Sequence, residues 1–356
     1  MKKILILSPT IDQAIAISKY IKKYDKNCIL HGGFLPKEGF SLLPGQKILL
    51  GRIYSKVITT IDKNKLEMLN SYDMIIPTGA QSTYWMSTHF DNFKVGQIIY
   101  SKSNIQCFDK IVTLDKVQKL GIPVPETYTD ISKVSNMKFP LFYKQKFEKG
   151  GGDRGIVFSL CELIGLPNIQ DLIFQEYIPG NSTFGVGFIA QNGEILTSFQ
   201  HEEYLSLPPV GGSAVLIRKY YNEILEKYTE RIVRNLEYNG WGLAEFKYCP
   251  RRRDFVFMEI KAKLWASIEF AFMNNNKILE YLMQIKSPVK NIERAIFVHR
   301  LAALGIKYFL TNLRYFFNSK IINYYTFLDN LLLLIYSSLP KTAKENIRKI
   351  VGKTRN

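Results

Sequence analysis

The sequence predicts an α/β domain at the N-terminus, an α+β domain after it and a helical extension at the C-terminus. Strand and helix patterns alternate through the first hundred residues, which is typical of a small doubly wound sheet. After a stiff segment at residues 121–125 (GIPVP), short strand patterns dominate. From residue 286 onward, apolar residues are dense enough for amphipathic helices.

Each element of the N-terminal domain has a local signature. Residues 3–9 (KILILSP) form an apolar run that predicts a buried strand, and residues 11–24 have the spacing of a helix. Residues 72–77 (YDMIIP) predict a second strand, which ends at the turn signal Thr78-Gly79. In a fold of this kind the ligand-facing loops follow the strands.

Asp109 predicts the start of a helix, because aspartate caps the free N–H groups of a first turn. Gly121 and Pro123 end this helix after Leu120. Five strand patterns follow, at residues 139–144, 155–160, 172–178, 184–190 and 194–201.

The composition suits a folded protein of two or three domains, with 356 residues, 46% hydrophobic and 22% charged. The four cysteines are far apart and lack metal-ligand spacing, so we expect no disulfide framework, no zinc site and a cytoplasmic location. The N-terminal run predicts a strand rather than a signal peptide, because Asp12 follows soon after it. Asp329 and Asn330 interrupt the most apolar stretch, residues 321–338, so we expect no transmembrane helix.

Two acidic residues are predicted to face each other on neighbouring strands. A turn at residues 250–254 between strand patterns 241–248 and 255–260 sets Glu245 opposite Glu259. Like charges in this arrangement repel, so a divalent cation between them would stabilise the pair, and Mg²⁺ with phosphate oxygens is the natural candidate. The alternative is a solvated sheet surface on which Lys247 and Lys261 neutralise both glutamates.

A glycine-rich loop follows the strand that ends at Lys144. Consecutive glycines let backbone N–H groups approach an anion closely, and a lysine adds a positive charge, so Lys144 and the loop 150–155 (GGGDRG) predict a phosphate site. A flexible hairpin turn beside a surface lysine is an equally good interpretation of this segment alone.

The strand pattern 172–180 (LIFQEYIPG) ends in a Pro-Gly turn. Its extended backbone can offer N–H and C=O groups to a flat heterocycle, with Tyr177 and Ile178 as apolar cover. An ordinary edge strand with exposed polar residues is the alternative.

In their order and spacing, these segments resemble the ATP-grasp superfamily. The resemblance runs from about Lys2 to about Ala271 and is greatest for the branch near carbamoyl phosphate synthetase and related carboxylate-amine ligases. It implies an α/β pre-ATP-grasp domain at residues 1–108 and an α+β ATP-grasp domain at 109–285, with a lid at about 125–180. Residues 286–356 lie outside the resemblance as a basic helical region.

The resemblance also implies site residues for ATP with Mg²⁺ or Mn²⁺. The residues that match positions contacting the phosphates are Lys110, Lys144 and the loop Gly150, Gly151 and Gly152. The residues that match the adenine pocket are Gln175, Glu176, Tyr177 and Ile178. The residues that match the metal-binding acids are Glu245 and Glu259.

The segment 258–265 (MEIKAKLW) matches the family pattern Glu-Ile-Asn-Pro-Arg-Phe-Trp with two departures. Lys261 replaces an asparagine that helps to hold a metal, and Lys263 replaces an arginine near the acyl or phosphate group. A protonated lysine cannot ligate magnesium. Lys261 therefore either serves as a tethered cation that neutralises the transferred phosphoryl group, or marks a homologue without turnover.

Residues 201–213 (HEEYLSLPPVGGS) resemble the family loop that borders the acceptor site, which implicates His201, Gly211, Gly212 and Ser213 in substrate binding. Glu202 and Glu203 replace the basic residues of that loop. This implies a more cationic acceptor such as an amine, or the loss of a carboxylate contact. For His201, packing at the end of a strand is the alternative to a catalytic role.

The activity implied is ATP-dependent ligation, in which a carboxylate becomes an acylphosphate and an amine then displaces phosphate. The partners expected are therefore a small-molecule carboxylate and an amine. A catalytically silent ATP-binding homologue is a second possibility, and a basic binding protein for nucleic acid or membrane is a third. No motif for specific nucleic-acid recognition is present.

The net charge of +17 is concentrated in the last fifth of the chain. Residues 286–356 contain thirteen Lys and Arg against Glu293, Asp329 and Glu345. Apolar helices in this region could pack onto the ligase body, which is the commoner fate of such stripes, or lie on the inner, anionic membrane surface.

Overall fold

The computed structural model describes residues 1–36, 38, 44–62, 65–93, 100, 102–130, 138–147, 150 and 152–344. Its first part is a four-stranded parallel sheet with strand order β3-β2-β1-β4. The strands are β1 (Lys2–Leu7), β2 (Cys28–Gly33), β3 (Lys56–Ile58) and β4 (Met74–Pro77). The helices are α1 (Asp12–Tyr24), α2 (Pro44–Ile53), α3 (Leu66–Leu69) and α4 (Ala80–Thr88). The predicted α/β fold of this part of the chain is confirmed, and the domain boundary at residue 108 stays a prediction.

The burial of β1 explains why this strand could be predicted from the sequence. Ile4, Leu5, Ile6 and Leu7 are all fully buried, since β1 lies between two neighbouring strands of the sheet. A strand that is covered on both faces has a continuous apolar run rather than an alternating pattern.

The second part begins with α5 (Lys110–Lys119), whose predicted cap is confirmed. The Asp109 carboxylate accepts hydrogen bonds from the backbone N–H of Ile111 at 2.9 Å and of Val112 at 3.3 Å. A four-stranded antiparallel sheet with order β5-β8-β6-β7 follows, which we call the lid sheet. Its elements are β5 (Thr127–Tyr128), β6 (Leu141–Gln145), β7 (Arg154–Val157), α6 (Leu160–Ile164) and β8 (Leu172–Glu176).

The third sheet has seven strands in the order β13-β12-β9-β10-β11-β14-β15, and we call it the large sheet. Its first five strands in chain order are β9 (Thr183–Gln191), β10 (Glu194–Leu207), β11 (Ser213–Lys219), β12 (Gly240–Cys249) and β13 (Asp254–Lys261). The helices α7 (Glu223–Asn235), α8 (Ile268–Asn274) and α9 (Asn276–Met283) accompany it. One face is apolar, with buried Val186, Phe188, Phe246 and Phe257 in the same core as Leu225 and Ile232 of α7.

Two predicted strands end at different residues. The pattern at 155–160 stops at Val157, because the Ser159 hydroxyl accepts a hydrogen bond from Glu162 N at 3.3 Å and caps α6. The pattern at 194–201 continues to Leu207, since residues 201–207 pair with β11. Most of the predicted acceptor-site loop is therefore strand, and only its end is a turn.

The C-terminal region packs against the rest of the chain. Strands β14 (Arg294–Phe297) and β15 (Lys320–Ile322) extend the large sheet, so the extension is not purely helical. Its helices are α10 (Val298–Leu304), α11 (Ile306–Thr311), α12 (Tyr315–Asn318) and α13 (Phe327–Ser338). Within the described residues, no helix is long and apolar enough to cross a membrane.

A buried ionic cluster joins the two ends of the chain. The Asp12 carboxylate on α1 accepts hydrogen bonds from Arg300 Nε at 2.7 Å and His299 Nε2 at 2.9 Å on α10. Burial opposes the charge of Asp12, but Arg300 and His299 outweigh it and hold the pKa of Asp12 well below its usual value. Arg300 is 4% exposed and also donates to the carbonyls of Ala214 and Ala266.

Candidate active site

A cavity of about 220 Å³ lies between the lid sheet and the large sheet. Residues of β6, β7, β12 and β13 line it, together with the first residue of α5 and the turn at 208–213. Of the predicted site residues, those on its wall are Lys110, Lys144, Gly152, Tyr177, Ile178, Gly211, Gly212, Ser213, Glu245, Glu259, Lys261 and Lys263. Gly151 lies outside the described residues.

The predicted glutamate pair is confirmed by the strand register. Glu245 on β12 is directly opposite Glu259 on β13, and a bulge follows at Met258. On the other side of β12, Gly185 of β9 pairs with Glu245, and His201 of β10 pairs with Gly185. Because a Cβ at Gly185 would come within 2.6 Å of His201 Nε2, only glycine leaves room for the histidine ring in this row.

Each glutamate of the pair already has a lysine partner. Lys144 Nζ lies 3.0 Å from Glu259 Oε2 and donates a second hydrogen bond of 3.0 Å to the carbonyl of Met258. Lys261 Nζ donates to Glu245 Oε1. The salt-bridged alternative is thus correct for Lys261, but the pair is buried rather than solvated, and Lys247 instead donates to the Gly180 carbonyl at 2.7 Å.

The charges in this cluster determine which groups remain ionised. Burial would raise the pKa of Glu259, but Lys144, Lys110 and Lys261 together lower it well below the usual range. Burial would lower the pKa of Lys261, but Glu245, Glu259 and Glu203 raise it above its usual value. Glu259 is therefore a carboxylate and Lys261 an ammonium at neutral pH.

In Glu245 and Lys144, burial shifts the pKa in the direction that disfavours the charged form. Burial raises the pKa of Glu245, and the neighbouring carboxylates add to this effect against the attraction of Lys261. Burial also lowers the pKa of Lys144, which the charge of Glu259 partly restores. Additional positive charge beside Glu245 would therefore favour its ionised form.

The residues present fit a divalent metal that arrives with a ligand. Among the described residues, no group of three or more His, Cys, Asp or Glu side chains could hold a metal ion. Two carboxylates on rigid strands are nevertheless sufficient for Mg²⁺, which keeps several waters and takes phosphate oxygens to complete its octahedron.

Two glycine-containing turns contribute to the cavity wall through Gly152, Gly211 and Gly212, whereas the predicted Gly150 is not among the lining residues. Gly150 has φ +75° and Gly211 has φ +69°, a region that other residues rarely adopt. A Cβ at Gly152 would overlap the Gln145 side chain, and a Cβ at Gly212 would overlap the backbone of Leu207 and Pro208. Both turns therefore require glycine in their present shape.

Arg154 lines the cavity and was predicted only as a member of the loop 150–155, without a role of its own. It follows the glycine loop on β7, and its guanidinium donates to the carbonyl of Gly211 across the cavity edge. Its position directly after three glycines and an aspartate was the available signal, since it extends the charge pattern begun by Lys144. Phe142 and Thr183 also line the cavity and were not predicted, whereas Asp153 belongs to the predicted loop.

Gln175 and Glu176 are not among the residues that line the cavity, and their assignment to an adenine pocket stays a prediction. Glu176 forms an ion pair with Arg252, and Arg251 lies 3.5 Å from its other oxygen. Gln175 is fully buried and donates to Thr127 Oγ1 at 3.0 Å. Tyr177 and Ile178 do line the cavity, so this end of β8 contributes its apolar residues.

His201 and its two acidic neighbours are also held inside the sheet. His201 is 1% exposed, and its Nε2 lies 3.2 Å from Glu203 Oε1. Glu202 accepts hydrogen bonds from Ser182 Oγ and Arg218 Nε, both at 2.6 Å. Glu202 and Glu203 therefore have partners within the protein, and the more cationic acceptor inferred from these two replacements stays a prediction.

No protein-family model and no curated protein sequence matches the chain. Several solved structures, in contrast, are similar to the structure of the chain. N5-carboxyaminoimidazole ribonucleotide synthetase from Thermotoga maritima superposes with a TM-score of 0.59 at 17% identity, over 82% of this chain and 78% of that one. Biotin carboxylase from Campylobacter jejuni gives 0.58 at 15% identity, over 81% and 72%. L-amino acid ligase from Bacillus licheniformis gives 0.57 at 12% identity, over 80% and 73%.

The chain therefore shares the fold of these three enzymes, as the resemblance to the ATP-grasp superfamily implies. The resemblance inferred from the order of the sequence segments is confirmed at the level of the fold.

Proposed function

We propose that this chain is an ATP-dependent ligase that activates a carboxylate as an acylphosphate and joins it to an amine. The observation that carries the proposal is the opposed pair Glu245 and Glu259 at the wall of a cation-rich cavity. Its fold, which is that of ATP-grasp ligases, supports the same reaction class.

The charge of the cavity suits a polyphosphate. Its basic residues are Lys110, Lys144, Arg154, Lys247, Lys261 and Lys263, and its acidic residues are Asp153, Glu245 and Glu259. The basic excess attracts an anion, and Lys110, Lys144 and Arg154 lie on the side of the glycine loop, where phosphates would bind. Tyr177 and Ile178 would cover the base.

Glu245 and Glu259 would hold Mg²⁺ or Mn²⁺ brought in by the nucleotide. When bound, such an ion neutralises phosphate oxygens during phosphoryl transfer. Lys261, which stays protonated, would stabilise the transferred phosphoryl group from the protein side, and Lys263 would act as a second cation on the acyl side. Both lysines are our candidates for catalytic residues.

The turn at 208–213 would bind the acceptor. Gly211, Gly212 and Ser213 face the cavity, and Arg154 connects this turn to the lid sheet. Closure of the lid over the nucleotide would exclude water, which would otherwise hydrolyse an acylphosphate. A small-molecule carboxylate and an amine are the proposed substrates, and the cytoplasm is the proposed location.

Calorimetric titration with a slowly hydrolysed ATP analogue, in matched buffers with and without Mg²⁺, tests the proposal. We expect binding that strengthens with Mg²⁺, followed by ADP release when suitable carboxylate and amine pairs are screened. Absence of analogue binding in both buffers would overturn the ligase assignment.

A catalytically silent ATP-binding protein is the second candidate, because Lys261 already occupies an oxygen of Glu245. Such a protein would bind the analogue with Mg²⁺ but release no ADP with any substrate pair. Restoration of ADP release by Lys261→Asn would then identify Lys261 as the residue that prevents turnover.

A further inference from the structure

The C-terminal region exposes an apolar surface that lies outside the cavity. Ten large apolar residues are at least 40% exposed between residues 306 and 335, and Phe317 and Phe327 are 87% and 84% exposed. We call this set the C-terminal apolar surface; its members are Ile306, Leu310, Leu313, Phe317, Ile321, Phe327, Leu328, Leu331, Leu332 and Ile335. Large apolar side chains exposed together in one region of a folded domain indicate an interaction site.

The helix α13 presents its apolar face outward because polar residues fix its other face. Asp329 is fully buried, caps the helix together with Thr326 and accepts a hydrogen bond of 3.1 Å from the backbone N–H of Gly45. The exposed members of α13 recur at the spacing of one helical face. The outward orientation of this face is therefore part of the folded structure.

The helix α11 adds a second apolar stripe next to the first. Ile306 and Leu310 are four residues apart, which places them on one side of α11, and the exposed Leu313 follows the end of this helix. The backbone N–H of Ile306 donates to Ser338 Oγ at 2.9 Å, so the start of α11 touches the end of α13.

The exposed charged residues in the same part of the chain, positions 306–344, all have one sign. Lys307, Arg314, Lys320 and Lys341 are exposed, whereas the single acidic residue between positions 294 and 344, Asp329, is buried. Residues 345–356 lie outside the described residues, and by sequence they add four basic residues and one acidic residue.

We propose that the C-terminal apolar surface binds an anionic lipid bilayer, with its helices lying in the plane of the interface. Aromatic and aliphatic side chains would enter the headgroup region while the basic residues contact lipid phosphates. We call the exposed residues Lys307, Arg314, Lys320 and Lys341 the basic border of this surface. A second copy of the chain would bind the surface less well, because a symmetric contact would place the basic border of one copy against that of the other.

Vesicle sedimentation of the full chain tests this proposal. We expect binding to vesicles in which about a third of the lipid is phosphatidylglycerol, and at least about tenfold weaker binding to pure phosphatidylcholine. The double variant Phe317→Glu/Phe327→Glu should lose at least about tenfold in affinity for the anionic vesicles. The matched control Phe158→Glu/Ile164→Glu changes residues 65% and 63% exposed on the lid and should bind like the original chain.

Two charge variants test the contribution of the basic border separately, and two further measurements show whether the variants are folded. Lys307→Gln and Arg314→Gln should each weaken anionic-vesicle binding about fivefold, because one basic residue near a charged surface contributes about that factor. Unchanged circular dichroism and unchanged affinity for the ATP analogue would show that the variants are folded.

Three results would overturn the proposal. The first is absence of sedimentation with anionic vesicles, and the second is equal binding to neutral vesicles. The third is a stable dimer in solution that Phe317→Glu/Phe327→Glu converts to monomer, since the occupant would then be a second copy of the chain.

Discussion

Glu259 and Lys144 form an ion pair that is nearly closed to solvent, with side chains 16% and 10% exposed. Replacing Glu259 by Gln keeps the shape but leaves the Lys144 ammonium without a carboxylate. We expect the Mg²⁺-dependent part of ATP-analogue binding to disappear and the free energy of unfolding to fall by about 3 kcal/mol. Calorimetry and urea unfolding would measure the two effects.

The exposed Glu230 on α7 provides the matched control for this charge removal. Glu230→Gln should change analogue binding very little and the free energy of unfolding by less than about 0.5 kcal/mol. If Glu259→Gln kept its full response to Mg²⁺, Glu259 would not be a metal ligand.

Lys261 contributes a fixed positive charge beside the two glutamates. Lys261→Asn removes that charge and adds a neutral oxygen ligand, so we expect Mn²⁺ to bind the protein–nucleotide complex at least about tenfold more tightly. Paramagnetic resonance of Mn²⁺ would measure the number and affinity of bound ions. Weaker Mn²⁺ binding in the variant would mean that Lys261 supports the metal site instead of competing with it.

Among the elements, the turn at 208–213 is the one whose shape depends most on a single residue. A Cβ at Gly212 would overlap backbone atoms of Leu207 and Pro208, so Gly212→Ala must move the turn itself. If the acceptor binds there, the KM for the acceptor should rise at least about tenfold while affinity for the ATP analogue stays within about twofold.

Gly165 is the control for this substitution, because a Cβ there would lie 3.5 Å from its nearest neighbour and its φ is negative. Gly165→Ala should change neither the KM for the acceptor nor the affinity for the ATP analogue. An equal loss of analogue affinity in Gly212→Ala would assign the turn to the nucleotide and not to the acceptor.

Elements whose cause is local could be predicted from the sequence. The Asp109 cap and the opposition of Glu245 and Glu259 across a short turn depend on residues close together in the chain. The contact of Arg154 with Gly211 joins residues 57 positions apart, so no local pattern reveals it. Likewise, Glu202 and Glu203 belong to a strand that continues to Leu207, beyond the predicted end at residue 201, so their partners could not be predicted.

At the scale of the whole molecule, the cluster of Asp12, His299 and Arg300 connects the first helix to the C-terminal region over 288 positions. Its members belong to segments with separate sequence patterns, so the cluster could not be predicted from the sequence. Together with the hydrogen bond between Gly45 and Asp329, it connects the C-terminal region to the N-terminal domain.

The same cluster predicts a specific loss of stability in acid. The pKa of Asp12 is lower in the folded protein than its ordinary value of 3.8, so the unfolded chain binds more protons between these two values. The contribution of Asp12 to stability is therefore complete above about pH 5 and is lost as the pH falls through the folded-state pKa. Asp12→Asn should lower the free energy of unfolding at pH 7 by about 3 kcal/mol and should flatten its decline in acid.

Urea unfolding from pH 7 down to the acid limit of the folded protein would measure both quantities. Asp91→Asn is the control, since the pair of Asp91 with Lys102 is 78% and 54% exposed and should contribute less than about 1 kcal/mol. If Asp12→Asn declined in acid as steeply as the original chain, other carboxylates would control acid unfolding. Loss of vesicle binding by Asp12→Asn while the large sheet stays folded would in turn show that the cluster positions the C-terminal helices for the membrane.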